Sequence, residues 1–210
     1  MAFRARSRHW SAKSAAASRD LRRVHAMVNG MYRLKKTVAM VGMMGAGKTA
    51  VGTALAKLLK VPFVDSDEEI VKAADRSIAE IFERDGEPFF RDREFEVIGR
   101  LLRGRPAVLS TGGGAFLAER NRSQIAEHGI AIWLQAEPEV LWQRVRHKTT
   151  RPLLRTANPR QTLLDLCAAR EPSYRLADLA VESAAGLSIE QMAARVVEAL
   201  RQRPDVLEEV

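Results

Sequence analysis

Four clusters in the sequence carry side chains suited to chemistry on phosphate and hydroxyl groups. The first is Gly42-Met-Met-Gly45-Ala46-Gly47-Lys48-Thr49, followed by Ala50, and it fits the pattern G-x-x-x-x-G-K-[ST]. Glycines in such a loop let backbone N–H groups turn toward phosphate oxygens. A helix N-terminus behind the loop adds partial positive charge. Lys48 has the reach for β- and γ-phosphates, and the Thr49 hydroxyl is a ligand for Mg²⁺. The loop implies a nucleoside triphosphate but not a reaction, because ATPases, GTPases, kinases and switches share it.

The other three clusters bear on what accepts the phosphate. Asp65-Ser-Asp67 places two carboxylates close together. One suits Mg²⁺ held through water; the other suits orienting or deprotonating a hydroxyl. Asp67 also suits a helix N-terminus for electrostatic reasons alone. In Gly86-Glu87-Pro-Phe-Phe90-Arg91-Asp-Arg-Glu94, residues 87, 91 and 94 share one helical face. That face reads either as a solvated ion-pair ladder or as a clamp. In the clamp, Arg91 would grip a carboxylate with its planar fork, steadied by Glu87 or Glu94. Ser110-Thr111-Gly112-Gly113-Gly114 reads as a flexible turn or as a place where backbone touches a ligand.

These clusters need elements to position them. Strand and helix signals alternate from Thr37 onward. Strands are expected at 37–41, 61–64, 107–109, 130–134 and 179–181. Helices are expected at 48–60, 87–102, 121–128, 138–147, 159–170 and 188–202. Two more helices should start at Ser66 (with Glu69) and Ser77 (with Glu80), and these pairs, like Ser188 with Gln191 in the last helix, fit a capping box. The pattern predicts an α/β fold in three layers, α/β/α, with a five-stranded parallel sheet. The first three clusters after the loop fall at carboxyl ends of strands, where such sheets bind ligands. The expected domain covers 37–203, with substrate-binding helices at about 66–103 and a basic lid at about 148–158. Residues 204–210 are expected to form a frayed tail.

Composition sets the remaining bounds. The chain has 210 residues, enough for one domain of this kind. Of its Lys and Arg residues ten lie within 1–36, against the single acid Asp20, and the rest holds 24 basic and 25 acidic residues. The net charge of +8 therefore belongs to a basic N-terminal extension and does not argue for nucleic-acid binding. That extension resembles a transit peptide in composition. The reading preferred over targeting is a disordered or partly helical extension, or sequence upstream of initiation at Met27 or Met31. No apolar run reaches the roughly 20 residues that span a bilayer. Cys167 is the one cysteine and suits a reducing compartment. It lies in an apolar helical stretch and is expected in the core, as are Trp133, Met40, Met43 and Met44.

Taken together, GMMGAGKT, DSD, GEPFFRDRE, STGGGA, Arg151-Pro-Leu-Leu154 and the Arg-x-Pro-x-Tyr of 170–174 resemble the shikimate kinase family over roughly 37–182. The resemblance implies a P-loop kinase with a short lid that uses ATP and Mg²⁺ in aromatic amino acid biosynthesis. It implies transfer of the γ-phosphoryl to the 3-hydroxyl of shikimate by a cytoplasmic monomer. Gly42, Gly45, Ala46, Gly47, Lys48, Thr49 and Ala50 would hold the nucleotide, with Arg144 against the adenine. Thr49 and Asp65 would serve the metal. Asp67 would bind the ring hydroxyls and act as base, with Lys48 and Arg151, the lid arginine, supplying charge. Arg91 and Arg170 would bind the carboxylate, Gly112, Gly113 and Gly114 would contact the ring, and Phe82, Phe90 and Glu94 would complete the substrate site. The family's adenine contact beyond the last strand has no match around Ala185 to Leu187. Gluconate kinases and nucleoside monophosphate kinases are the near alternatives. A nucleotide switch or RNA-binding module is the distant one.

Overall fold

The computed structural model describes residues 32–147, 152–184 and 186–210. Strand Tyr32–Leu34 (β1) leads into Thr37–Val41 (β2), which is buried at all of its positions. Such a strand must be apolar throughout, because both faces of a parallel sheet are covered. Around β2 lie Phe63–Asp65 (β3), Val108–Ser110 (β4), Gly129–Gln135 (β5) and Leu179–Glu182 (β6). All pair in parallel in the order β3-β4-β2-β5-β6. The expected five-stranded parallel sheet is present. Its order puts β2 between strands reached by opposite crossovers, so the cleft beyond its carboxyl end lies at a switch point.

Helices flank the sheet. Lys48–Leu59 (α1) follows the phosphate loop and stops where Lys60 turns left-handed, at φ 54°. Ser66–Ala74 (α2), Ile78–Arg84 (α3) and Gly86–Leu102 (α4) form a helical unit beside β3. This unit closes around its own small apolar cluster of Ile70, Ile81, Phe90 and Val97. Glu119–His128 (α5), Pro138–Val145 (α6), Pro159–Tyr174 (α7) and Ile189–Leu200 (α8) complete the layers. Met40, Met43, Met44 and Trp133 are buried in the main core, as expected, and Cys167 is partly buried against it. No helix among the described residues is long and apolar enough to cross a membrane.

The capping boxes at Ser77 and Ser188 form as read from their spacing. The one expected at Ser66 does not. Asp65 is the N-cap instead, and its carboxylate accepts from the Asp67 amide at 3.0 Å. An ionised side chain one residue earlier satisfies that amide more strongly, and Ser66 Oγ is left to accept from the Gly112 amide at 3.3 Å. Nor does Pro172 break α7, which runs on to Tyr174. Proline removes one helical N–H, but the bond from Arg175 N to Glu171 O, 2.9 Å, resumes the ladder.

The chain end also differs from the frayed tail expected. Leu207–Glu209 (β7) pairs antiparallel with β1, matching Leu34 to Leu207 and Tyr32 to Glu209. Arg33 pairs with Glu208, and Lys36 with Asp205 at 3.0 Å. Two strands alone are marginal in water. This ribbon is held because Leu34, Val206 and Leu207 are buried in the main core. Leu207→Ala should therefore lower the unfolding free energy by about 2–4 kcal/mol. A melt of the variant would show it as a Tm several degrees lower.

Candidate active site

The loop leaving β2 has the geometry of a phosphate cradle. Gly42, Gly45 and Gly47 sit at φ +133°, +83° and +101°, a region that side chains rarely enter. At Gly42 an added Cβ would also lie 2.8 Å from the Leu134 carbonyl oxygen. Helix α1 begins with no side-chain cap, so its first amides have no intramolecular acceptor of that kind. They border a cleft of about 540 Å³ whose wall includes residues 44–51. Lys48 Nζ folds back over the loop and donates to the carbonyls of Gly42 (2.8 Å) and Met43 (3.2 Å). Uncapped amides, a helix N-terminus and an ammonium together suit a polyanion.

One end of the cleft is suited to a flat base. Arg144 Nη1 donates to the carbonyls of Gly45 (3.1 Å) and Ala46 (3.3 Å) and to Ser183 Oγ (3.0 Å). It thereby fastens α6 to the back of the phosphate loop. Leu187, Ile189 and Met192 line the same end. Sequence reasoning placed Arg144 at this end but found none of its apolar residues. Its apolar members come from the residue before the Ser188 cap and from the first turn of α8, where only that cap gave a signal.

The other end is built on the three glycines after β4. A Cβ on Gly112 would lie 2.8 Å from Asp67 Oδ1. One on Gly113 would lie 3.6 Å from Arg170 Nη1, and one on Gly114 would lie 2.8 Å from Arg91 Nη2. Asp67, from α2, Arg91, from α4, and Arg170, from α7, therefore each press against one residue of the triplet. The ring of Phe90 lies under Arg91, 5.2 Å from the guanidinium carbon, and 4.8 Å from the ring of Phe82. Phe90 is buried in the small cluster of the helical unit, and Phe82 is half-exposed.

Electrostatics reinforce this convergence. Burial pushes the Asp67 carboxyl up from its ordinary value, and neighbouring Asp65 pushes it further. Lys48 and Arg91 act the other way without cancelling it. Asp67 Oδ1 is buried with no hydrogen-bond partner among the described residues. A buried acceptor in that condition calls for a donor. Glu94 is buried too. Burial raises its pKa against the opposing charge of Arg91, which donates to both of its oxygens at 3.2 and 3.0 Å. Glu87 takes the opposite side of Arg91 at 3.0 Å. The guanidinium is thus held from two sides and cannot swing freely.

A divalent cation has a modest donor set here. Thr49 Oγ1 lies 3.4 Å from Ser110 Oγ, and the register pairs Ser110 with Asp65. Among the described residues no group of three or more His, Cys, Asp or Glu gathers as a metal cage. A hydroxyl and a carboxylate beside a polyanion cradle suit Mg²⁺, which keeps several waters and uses phosphate oxygens. Ser110 was read only as part of the turn, and its place beside Thr49 follows from β2–β4 pairing. Arg151 and residues 148–150 of the expected lid lie outside the described residues.

Comparison with known proteins agrees with this geometry. The family profile described as shikimate kinase matches residues 44–201. The chain is 70% identical to a shikimate kinase of Cereibacter sphaeroides over 85% of its own length and 89% of that protein's. It is 67% identical to one of Ruegeria pomeroyi, covering 85% and 92%. Among solved structures, shikimate kinase from Acinetobacter baumannii in complex with shikimate superposes with a TM-score of 0.75 at 39% identity, covering 80% of this chain and 93% of that one. A gluconokinase from Sinorhizobium meliloti, at 20% identity and a TM-score of 0.52, shares the fold alone. With its phosphate cradle, glycine triplet and converging arginines, the chain belongs to the shikimate kinase family.

Proposed function

We propose that this protein transfers the γ-phosphoryl of MgATP to the 3-hydroxyl of shikimate, giving shikimate 3-phosphate and ADP, with Asp67, Arg91 and Arg170 as the acceptor site. The observation that supports this assignment most is the convergence of those three side chains on Gly112, Gly113 and Gly114. A small hydroxylated acid needs an acceptor for its hydroxyl proton and a fork for its carboxylate, and both are set around one strip of bare backbone.

The phosphates would rest on the amides of residues 45–50 and on Lys48, with Arg144 and the wall at Leu187 beside the base. Thr49 and Asp65 would hold Mg²⁺, which when bound would supply positive charge to the phosphates. Asp67 would receive or orient the proton of the attacking hydroxyl. Burial and neighbouring Asp65 raise its pKa, which makes its carboxylate a better proton acceptor than an exposed aspartate. Arg91 and Arg170 would fix the ring so that this hydroxyl faces the terminal phosphate, and positioning of this kind supplies much of the acceleration. Arg151, from its place in the Arg-Pro-Leu-Leu motif, would add charge to the phosphates, and the segment 148–158 would shield them from water.

We assign the reaction to the cytoplasm and to a monomer without nucleic-acid or membrane partners. A single half-buried cysteine suits a reducing compartment. Both halves of the site come from one chain, and beyond residue 36 basic and acidic residues nearly balance. A coupled assay of ADP release against a panel of hydroxylated acids tests the assignment. Release should depend on shikimate, and equal rates with and without it would refute the reading.

Two further outcomes are expected. Arg91→Ala and Arg170→Ala should each raise the KM for shikimate by roughly 10–150-fold, the worth of charge-assisted hydrogen bonds, with the KM for ATP nearly unchanged. Steady-state kinetics with each substrate varied separately would show this. The raised pKa of Asp67 also has a stability consequence. Ionisation of this group opposes folding, so its stabilising contribution is complete below the unfolded value of about 3.9 and is lost as pH rises through the folded pKa. Asp67→Asn, which cannot ionise, should melt above the wild type at pH 7 while losing most of its kcat. The Tm difference should close on acidification, which thermal melts across pH would follow.

A further inference from the structure

Tyr174 is the last residue of α7 and lies one turn beyond Arg170. It is 1% exposed, and its ring stacks on Trp133 with centroids 6.2 Å apart. That ring accounts for its packing. The hydroxyl needs a separate explanation, because a phenyl ring would fill the same space without a polar atom to satisfy. It donates to the Gly113 carbonyl at 2.6 Å and lies 3.8 Å from Met43 Sδ in the phosphate loop, and both it and the Arg170 guanidinium border Gly113.

Three observations meet at this hydroxyl. Gly113 is the triplet residue against which the Arg170 guanidinium lies, at 3.6 Å from where a Cβ would be. Pro172, between Arg170 and Tyr174, removes a helical N–H, so the turn carrying Arg170 lacks one of its backbone bonds. Tyr174 then fastens the far end of that turn to the triplet. We infer that Tyr174 is a positioning residue whose hydroxyl, bound to the Gly113 carbonyl beside the Arg170 guanidinium, fastens the turn that carries the arginine and so holds it in register with the acceptor site. The inference rests on the reading of Arg170 as a carboxylate clamp. It adds that the clamp is aimed by a bond to backbone on the opposite wall.

Tyr174→Phe keeps the ring and removes only the bond to the Gly113 carbonyl. Steady-state kinetics of wild type, Tyr174→Phe, Arg170→Ala and the double variant would test it, with melting curves of each. Tyr174→Phe should raise the KM for shikimate by roughly tenfold, since the Gly113 carbonyl also loses its donor, and should change the KM for ATP less than about twofold. In the Arg170→Ala background the same substitution should add less than about twofold, because the arginine it aims is gone. A full effect that persists in that background would overturn the inference, as would an unchanged KM for shikimate in Tyr174→Phe. A lowered Tm with equal losses for both substrates would mark the hydroxyl as structural and overturn it too. An unchanged shikimate KM in Arg170→Ala would instead refute the clamp itself, and the inference would fall with it.

Discussion

The site depends on the lack of side chains at three consecutive residues. Gly112, Gly113 and Gly114 follow the carboxyl end of β4, and the space a Cβ would take at each borders a functional group from a different helix. A methyl group at the first or third would sit less than 3 Å from Asp67 or Arg91. Either the side chain or the backbone would have to move, and the groups would no longer share a surface. Glycine loses more conformational freedom on folding than any other residue, so three in a row disfavour folding. The turn offsets this loss by closing on itself through Ala115 N to Gly112 O and Leu117 N to Gly114 O, both 3.1 Å.

The rest of the fold brings partners to that strip. Parallel pairing of β3 with β4 sets Asp65 beside Ser110, so α2 starts next to the triplet and presents Asp67 to it. Pairing of β2 with β4 sets Met40 against Ser110, and the phosphate loop begins two residues later. Helix α4 leans its Arg91 face toward the same edge, balanced by buried Glu94. Charge is arranged with the geometry. Burial and Asp65 raise the Asp67 carboxyl against Lys48 and Arg91, and its Oδ1 is left in want of a donor among the described residues.

Much of this was legible in the sequence because the signals are local. A glycine pattern followed by Lys-Thr, a Ser-x-x-Glu or Ser-x-x-Gln cap, and fully apolar strands each state their own conformation, and β2, α1, α3 and α8 formed accordingly. What was illegible depended on tertiary contact. Nothing near Ser66 reveals that Asp65 would outcompete it as cap. Nothing in Pro172 reveals that Tyr174 would be anchored two residues on. The β1–β7 ribbon joins residues about 175 positions apart, and its charged ends, Arg33 and Glu208, read as tail until they pair. The wall at Leu187, Ile189 and Met192 likewise emerges only when α8 packs beside α1.

The most direct measurement is a crystal structure of the protein with MgADP and shikimate bound together. This account predicts the substrate carboxylate between the guanidinium groups of Arg91 and Arg170. It predicts the ring over Gly112–Gly114 and a ring hydroxyl donating to Asp67 Oδ1. Shikimate bound away from the triplet, with Asp67 Oδ1 still lacking a donor, would contradict it.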